Sequence, residues 1–147
     1  MPKTIAVKPV VTASTRMTVA EAARAMRSKN LGALVVVNAG RPVGVLTDRD
    51  IVMNVVAQGK DPDEARVGDV MHGKPTVLQE DASLLDAAQM FARTGVRRLP
   101  VVDRHGELAG IIAIDDLIIL LGNEMGHVAA ARAAGLCRPG TRSIGAA

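Results

Sequence analysis

The chain has one cysteine, one phenylalanine and neither tryptophan nor tyrosine among its 147 residues. Each scarcity removes a class of explanation. Cys137 alone cannot close an internal disulfide, so packing must hold the fold, and a reducing compartment is expected. With almost no aromatic rings to stack on exposed bases, and a formal charge of only +3, no nucleic-acid partner is expected. His72, His105 and His127 stand apart, with no Cys, His or acidic residue at metal-ligand spacing; they read as surface turn and helix residues, and no metal site is expected. Long apolar runs are missing too. Asp115 and Asp116 split the stretch from Ile111 to Leu121, well short of the ~20 residues that span a bilayer. Lys8, Pro2 and Pro9 fall where an export signal would need an unbroken apolar region. A soluble, cytoplasmic protein with no membrane association is the expectation.

What is present is aliphatic. The 48% apolar content comes from Val, Ile, Leu, Met and Ala, in branched runs alternating with Ala-rich helical stretches, which points to an α/β arrangement. The length is that of one compact unit able to bury most of its apolar surface.

The chain divides by pattern. Residues 1–9 read as a leader. A first unit, 10–60, begins with a short strand at Val10-Val11-Thr12. A capping box at Thr18 to Glu21 then opens a helix whose apolar face is Val19, Ala22, Ala23 and Met26, and Asn30 and Gly32 end it. The strand Ala33 to Val37, a turn at Asn38 to Pro42, the strand Val43 to Leu46 and a helix through Ile51 to Val56 follow. Polar residues 61–66, with Pro62, form a linker. A second unit, 67–121, repeats the order: Pro75-Thr76-Val77, a capping box at Ser83 to Asp86, and an apolar face of Leu84, Ala87, Ala88 and Phe91, offset by 65 (84 − 19 = 65). With one extra residue placed near Gly95, Val35-Val36 aligns with Val101-Val102 and Asp50 with Asp116 (116 − 50 = 66). Two βαββα repeats are predicted, packed about a pseudo-twofold axis so that their sheets bury one another. Residues 122–147 form a tail that starts as an Ala-rich helix and becomes disordered beyond Gly135.

One stretch organises the first repeat: Gly44-Val45-Leu46-Thr47-Asp48-Arg49-Asp50, where a strand turns into a helix. Two readings fit it. Thr47 and Asp50 have the spacing of a capping box that merely starts the helix. They also place a hydroxyl and a carboxylate beside unpartnered backbone N–H groups, an arrangement that suits phosphate and ribose.

Taken together, Gly44-x-x-Thr47-x-x-Asp50, Val67-Gly68-Asp69-Val70-Met71, Val96-Arg97-Arg98-Leu99-Pro100-Val101-Val102-Asp103 and Gly110 to Asp116 resemble the tandem CBS-domain family, the paired regulatory units called Bateman modules. The resemblance covers about residues 10–121. It implies a stand-alone regulatory module, not an enzyme, that binds an adenosine-containing ligand (AMP, ADP, ATP, NAD or S-adenosylmethionine) between the repeats. Asp50 would hold ribose hydroxyls, Thr47 a phosphate, and apolar strand residues the adenine. Val11 and Thr12 are further adenine contacts on this view. Arg97 and Arg98 are aligned with Leu31 and Gly32, at positions that face the cleft in the family, which implies phosphate binding; Arg49 is a weaker candidate for the same role. No cofactor is required, and magnesium would accompany the ligand's phosphates. At the second corner Asp116 is kept, but Ala113 stands where Ser or Thr belongs and Asp115 replaces Arg49. Both a cap and a phosphate donor are therefore lost, and that site should bind weakly, bind a less charged ligand or stay empty. The helices at Ile51 to Val56 and Leu117 to Leu121 are expected to form a homodimer that signals to a regulated protein. The rivals are a ligand-free dimeric scaffold and an enzyme acting on adenine nucleotides.

Overall fold

A computed structural model describes residues 10–136. The expected leader at 1–9, and Cys137, Arg138 and Arg142 of the tail, lie outside the described residues.

The first repeat runs β1 (Thr12–Ala13), α1 (Val19–Lys29), β2 (Ala33–Asn38), β3 (Arg41–Thr47) and α2 (Asp48–Ile51), which continues as a π-helical turn over Val52–Val56. The order recurs after two short pieces, α3 (Val67–Val70) and β4 (His72–Gly73). The recurrence is β5 (Leu78–Gln79), α4 (Leu84–Thr94), β6 (Arg98–Val102), β7 (Leu108–Ala113) and α5 (Ile114–Leu136). The predicted repeats are present. The first strand is shorter and later than Val10-Val11-Thr12, and α5 runs to Leu136, one residue past Gly135, beyond which disorder was expected. None of the helices among the described residues is long and apolar enough to cross a membrane.

Local chemistry sets the helix ends. Thr18 and Ser83 each accept the third helical N–H, while Glu21 and Asp86 accept the backbone N–H of the cap residue in return. Those backbone bonds first, and the cap hydroxyls second, hold the Glu21 and Asp86 carboxyls below their ordinary range. Asn30 and Gly95 close α1 and α4 in the left-handed conformation.

Each repeat builds a sheet in which a parallel pair leads into a hairpin, β1-β2-β3 and β5-β6-β7, and β4 adds a fourth strand antiparallel to β3. The register corrects one expectation. Leu34 pairs with Leu46 and Val36 with Gly44; in the second repeat Leu99 pairs with Ile112 and Val101 with Gly110. Val36 therefore matches Val101, and the offset is still 65 through β6 (101 − 36 = 65). The extra residue enters the second hairpin turn, not the chain near Gly95. By the same register Arg97 matches Gly32 and Arg98 matches Ala33, not Leu31 and Gly32.

Helix-facing residues form two cores, one around Val19, Ala22, Met26, Leu34, Val36 and Leu46 and one around Ala87, Phe91, Leu99, Val101, Ile112 and Leu117. Val67 and Val70 of α3 bury themselves in the first core although they open the second unit in sequence. The alternate residues Val35, Pro100 and Val102 point away from the helices and are buried as well. The repeats touch at their hairpin turns: the Leu108 N–H donates to the Gly40 carbonyl at 2.9 Å, and Arg41 Nη1 comes within 2.8 Å of where a Cβ on Gly106 would stand. Burial on both faces of β2 and β6, as expected of sheets that cover one another, explains the continuous apolar runs in place of alternation.

Candidate functional site

At the first corner Thr47 and Asp50 form the capping box: Thr47 Oγ1 accepts the Asp50 N–H at 3.1 Å, and Asp50 Oδ2 accepts the Thr47 N–H at 2.8 Å. Asp50 is the buried polar residue among an otherwise apolar core, only 4% exposed. Its other oxygen, Oδ1, lies 2.9 Å from Nδ1 of His72 on β4. Both carboxylate oxygens are thus engaged within the chain, which is how a buried charge is tolerated.

The pair with His72 departs from the sequence reading, which made His72 an isolated surface residue. It arises because β4 lies along β3, with Gly44 opposite Gly73 and Val45 opposite His72. Gly44 permits the approach. A Cβ there would collide with Met71 Sδ and stand 2.7 Å from the His72 carbonyl oxygen. A glycine inside a strand is the available sequence signal for such a close approach, but it does not say which segment arrives.

The second repeat contributes one basic group to this corner. The Asp48 N–H donates to the Gly32 carbonyl at 3.0 Å, fixing the start of α2 against the start of β2. Arg98 Nη2 and Asp48 Oδ2 each come within 3.5 Å of where a Cβ on Gly32 would stand. A guanidinium from one repeat thus lies beside the helix start of the other, at ordinary contact distance from the Gly32 position. Arg97 goes elsewhere. Its carbonyl accepts the Ile114 N–H at 2.9 Å, the second-repeat version of the Gly32–Asp48 bond, and it lines a depression of about 390 Å³ with Phe91, Val96 and Asp115. Arg49 is exposed, and its N–H donates to Asp48 Oδ1 at 2.8 Å. Val11 packs on the first core, while Thr12 is exposed on β1.

The second corner keeps more of the first than its sequence suggests. Ala113 offers no hydroxyl, yet Asp116 Oδ2 still accepts the Ala113 N–H at 3.3 Å, so the acidic half of the box survives. Among the described residues no group of three or more His, Cys, Asp or Glu side chains is placed to hold a metal ion.

Known proteins share this architecture. The chain is 40% identical over 124 residues to the CBS domain-containing protein YhcV of Bacillus subtilis, covering 84% of this chain and 85% of that one. It is 38% identical over 115 residues to protein MK0525 of Methanopyrus kandleri, covering 78% of this chain but spanning only 59% of that longer relative. The structure of CBSX2 in complex with AMP superposes with a TM-score of 0.68 at 26% identity, covering 81% of this chain and 94% of that one. The CBS domain family model matches twice, at residues 3–57 and 67–123. With the repeated βαββα architecture and two strand-to-helix corners, these matches make the chain a member of the CBS-domain family.

Proposed function

We propose that the chain is a non-catalytic regulatory module that takes an adenosine-containing ligand at its first corner. The observation that carries this reading is the company of Asp50: a carboxylate 4% exposed, on the same helix start as the Thr47 hydroxyl, with the Arg98 guanidinium brought in from the other repeat. A buried carboxylate suits a pair of ribose hydroxyls, and a hydroxyl with a guanidinium suits phosphate. AMP in the CBSX2 structure points to the same ligand class. Magnesium would enter with the phosphates of a di- or triphosphate. Ligand spanning both repeats would favour one relative arrangement of them over another, and only a difference in affinity between the two would make it a signal. A second copy of the chain, docked on the exposed apolar residues that follow each corner, would read that change and pass it to a regulated protein. In the cell this describes a cytoplasmic sensor.

One observation favours the rival, a ligand-free dimeric scaffold: both oxygens of Asp50 already have partners in the chain. The two readings separate cleanly. With no Trp or Tyr the protein hardly absorbs near 280 nm, so a co-purified adenine is visible in the filtrate of denatured protein and identifiable by mass spectrometry. Calorimetric titration with AMP, ATP, NAD and S-adenosylmethionine follows. Binding that Asp50→Ala abolishes is the expected result; a clean filtrate and no heat with any of the four would leave the scaffold.

A further inference from the structure

Asp50 has an exposed partner. The side chain of Asp50 is 5% exposed and that of His72 is 75% exposed, yet their Oδ1 and Nδ1 atoms stand 2.9 Å apart. A nearly buried carboxylate is thus paired with a solvent-exposed imidazole. Building on the nucleotide reading above, we propose that His72 competes with the ligand for Asp50, and that adenosine binding at the first corner requires this imidazole to leave.

The two ends of the Asp50 carboxylate differ in what they can give up. Oδ2 is held by the Thr47 backbone N–H, and releasing it would open the capping box that starts α2. Oδ1 is held by a side chain, which needs only a rotation to withdraw. The strand that carries it is two residues long and lies at the edge of its sheet, registered only through Gly44–Gly73 and Val45–His72. A Cβ added at Gly73, the residue after His72, would meet nothing within 4 Å. Oδ1 is the end a ribose hydroxyl would win, at the expense of one hydrogen bond to a charged group.

The competition depends on protons. An imidazolium holds a carboxylate more firmly than a neutral imidazole does, and histidine changes charge between about pH 5 and 8. The charged groups that share this corner are Asp48, Arg49 and Asp50 of α2 and Arg98 of the second repeat. β3 presents Gly44 and Val45, which carry no charge, and α2 presents Asp50. On its own segment Lys74 lies two residues on, while Asp69 of α3 lines a separate cavity with Thr15, Arg16 and Arg66. Of these groups Asp50 is the one in contact with the imidazole, at 2.9 Å.

Calorimetric titration of AMP into the intact chain at pH 7.5 and pH 5.8, with wild type, His72→Ala and His72→Gln, tests this. His72→Ala should bind AMP on the order of tenfold more tightly than wild type at pH 7.5, by removal of one charge-assisted competitor. The gap should widen at pH 5.8; taking the ratio at each pH cancels titration of the AMP phosphate. His72→Gln keeps an uncharged donor, so its affinity should fall between the two with a ratio to His72→Ala that does not change with pH. Thermal melts of all three check that the exposed edge tolerates the changes. Equal affinity, weaker binding by His72→Ala or a gap indifferent to pH would overturn the competition and leave the nucleotide reading standing. Silence from wild type and both variants alike, with AMP, ATP, NAD and S-adenosylmethionine, would overturn both.

Discussion

Asp116 accepts the backbone N–H of Ala113 at 3.3 Å, where at the equivalent corner Asp50 accepts that of Thr47 at 2.8 Å. The same acid faces the same donor in both repeats, but only the first donor residue has a hydroxyl to return the bond. Ala113→Thr should complete the second capping box. The expected gain is about 1 kcal/mol, read as a higher denaturant midpoint at unchanged slope. No gain would mean that α5 starts in a geometry the hydroxyl cannot reach.

Gly44 and Gly73 face each other across β3 and β4, and their tolerance should be opposite. Gly44→Ala forces its Cβ against the His72 carbonyl, which is backbone and cannot swing aside; a loss of about 1–3 kcal/mol is expected. Gly73→Ala has open space around it and should melt close to wild type. Because the same clash pushes β4 off β3, Gly44→Ala should also carry His72 away from Asp50. Unfolding curves for the two variants decide the matter.

The two outer capping boxes give the protein an acid-sensitive side. Glu21 and Asp86 titrate below their ordinary range when folded, so the folded state favours their charged forms. For groups depressed in this direction, stability is present above the carboxyl range of the unfolded chain and is lost as pH falls below that range through the folded values. The pair Glu21→Gln and Asp86→Asn should therefore lower stability at pH 7 and shrink the difference between pH 7 and pH 3. Urea unfolding at both values measures it; an unchanged acid slope would mean that other carboxyls govern it.

Val52, Met53 and Val56 beside the first corner and Ile118, Ile119 and Leu121 beside the second are all exposed, an unusual concentration on two short helical stretches. If a second copy covers them, Val56→Glu with Ile118→Glu should convert a dimer to a folded monomer. Sedimentation velocity reads this directly. A wild-type chain that sediments as a monomer at micromolar concentration would rule the dimer out.

Much of this architecture was legible from residue pattern. The capping boxes, the apolar faces led by Val19 and Leu84, the end of the first helix at Asn30 and the strand-to-helix corner all follow from local chemistry, and the structure has each of them. The one-residue error in aligning β2 with β6 has a physical origin. Leu34-Val35-Val36-Val37 is buried on both faces, so a slip of one residue leaves the apolar pattern unchanged, and two Val-Val pairs attract a false match. In a half-exposed strand alternation would have fixed the register. His72 escaped for a different reason: its partner is supplied by a two-residue strand pairing across 27 positions (72 − 45 = 27), and so short a strand has no periodicity to read.

The burial of Val67 and Val70 beneath the first sheet bears on how such a protein can be divided. Cutting at the polar linker, where composition invites it, would leave the first half without two side chains that are at most 4% exposed in its core, while the second half would display them to water. The visible seam in the sequence is therefore not a seam in the packing. A single repeat excised at 61–66 should expose apolar surface and self-associate, whereas a fragment extended through Gly73 should keep its core closed.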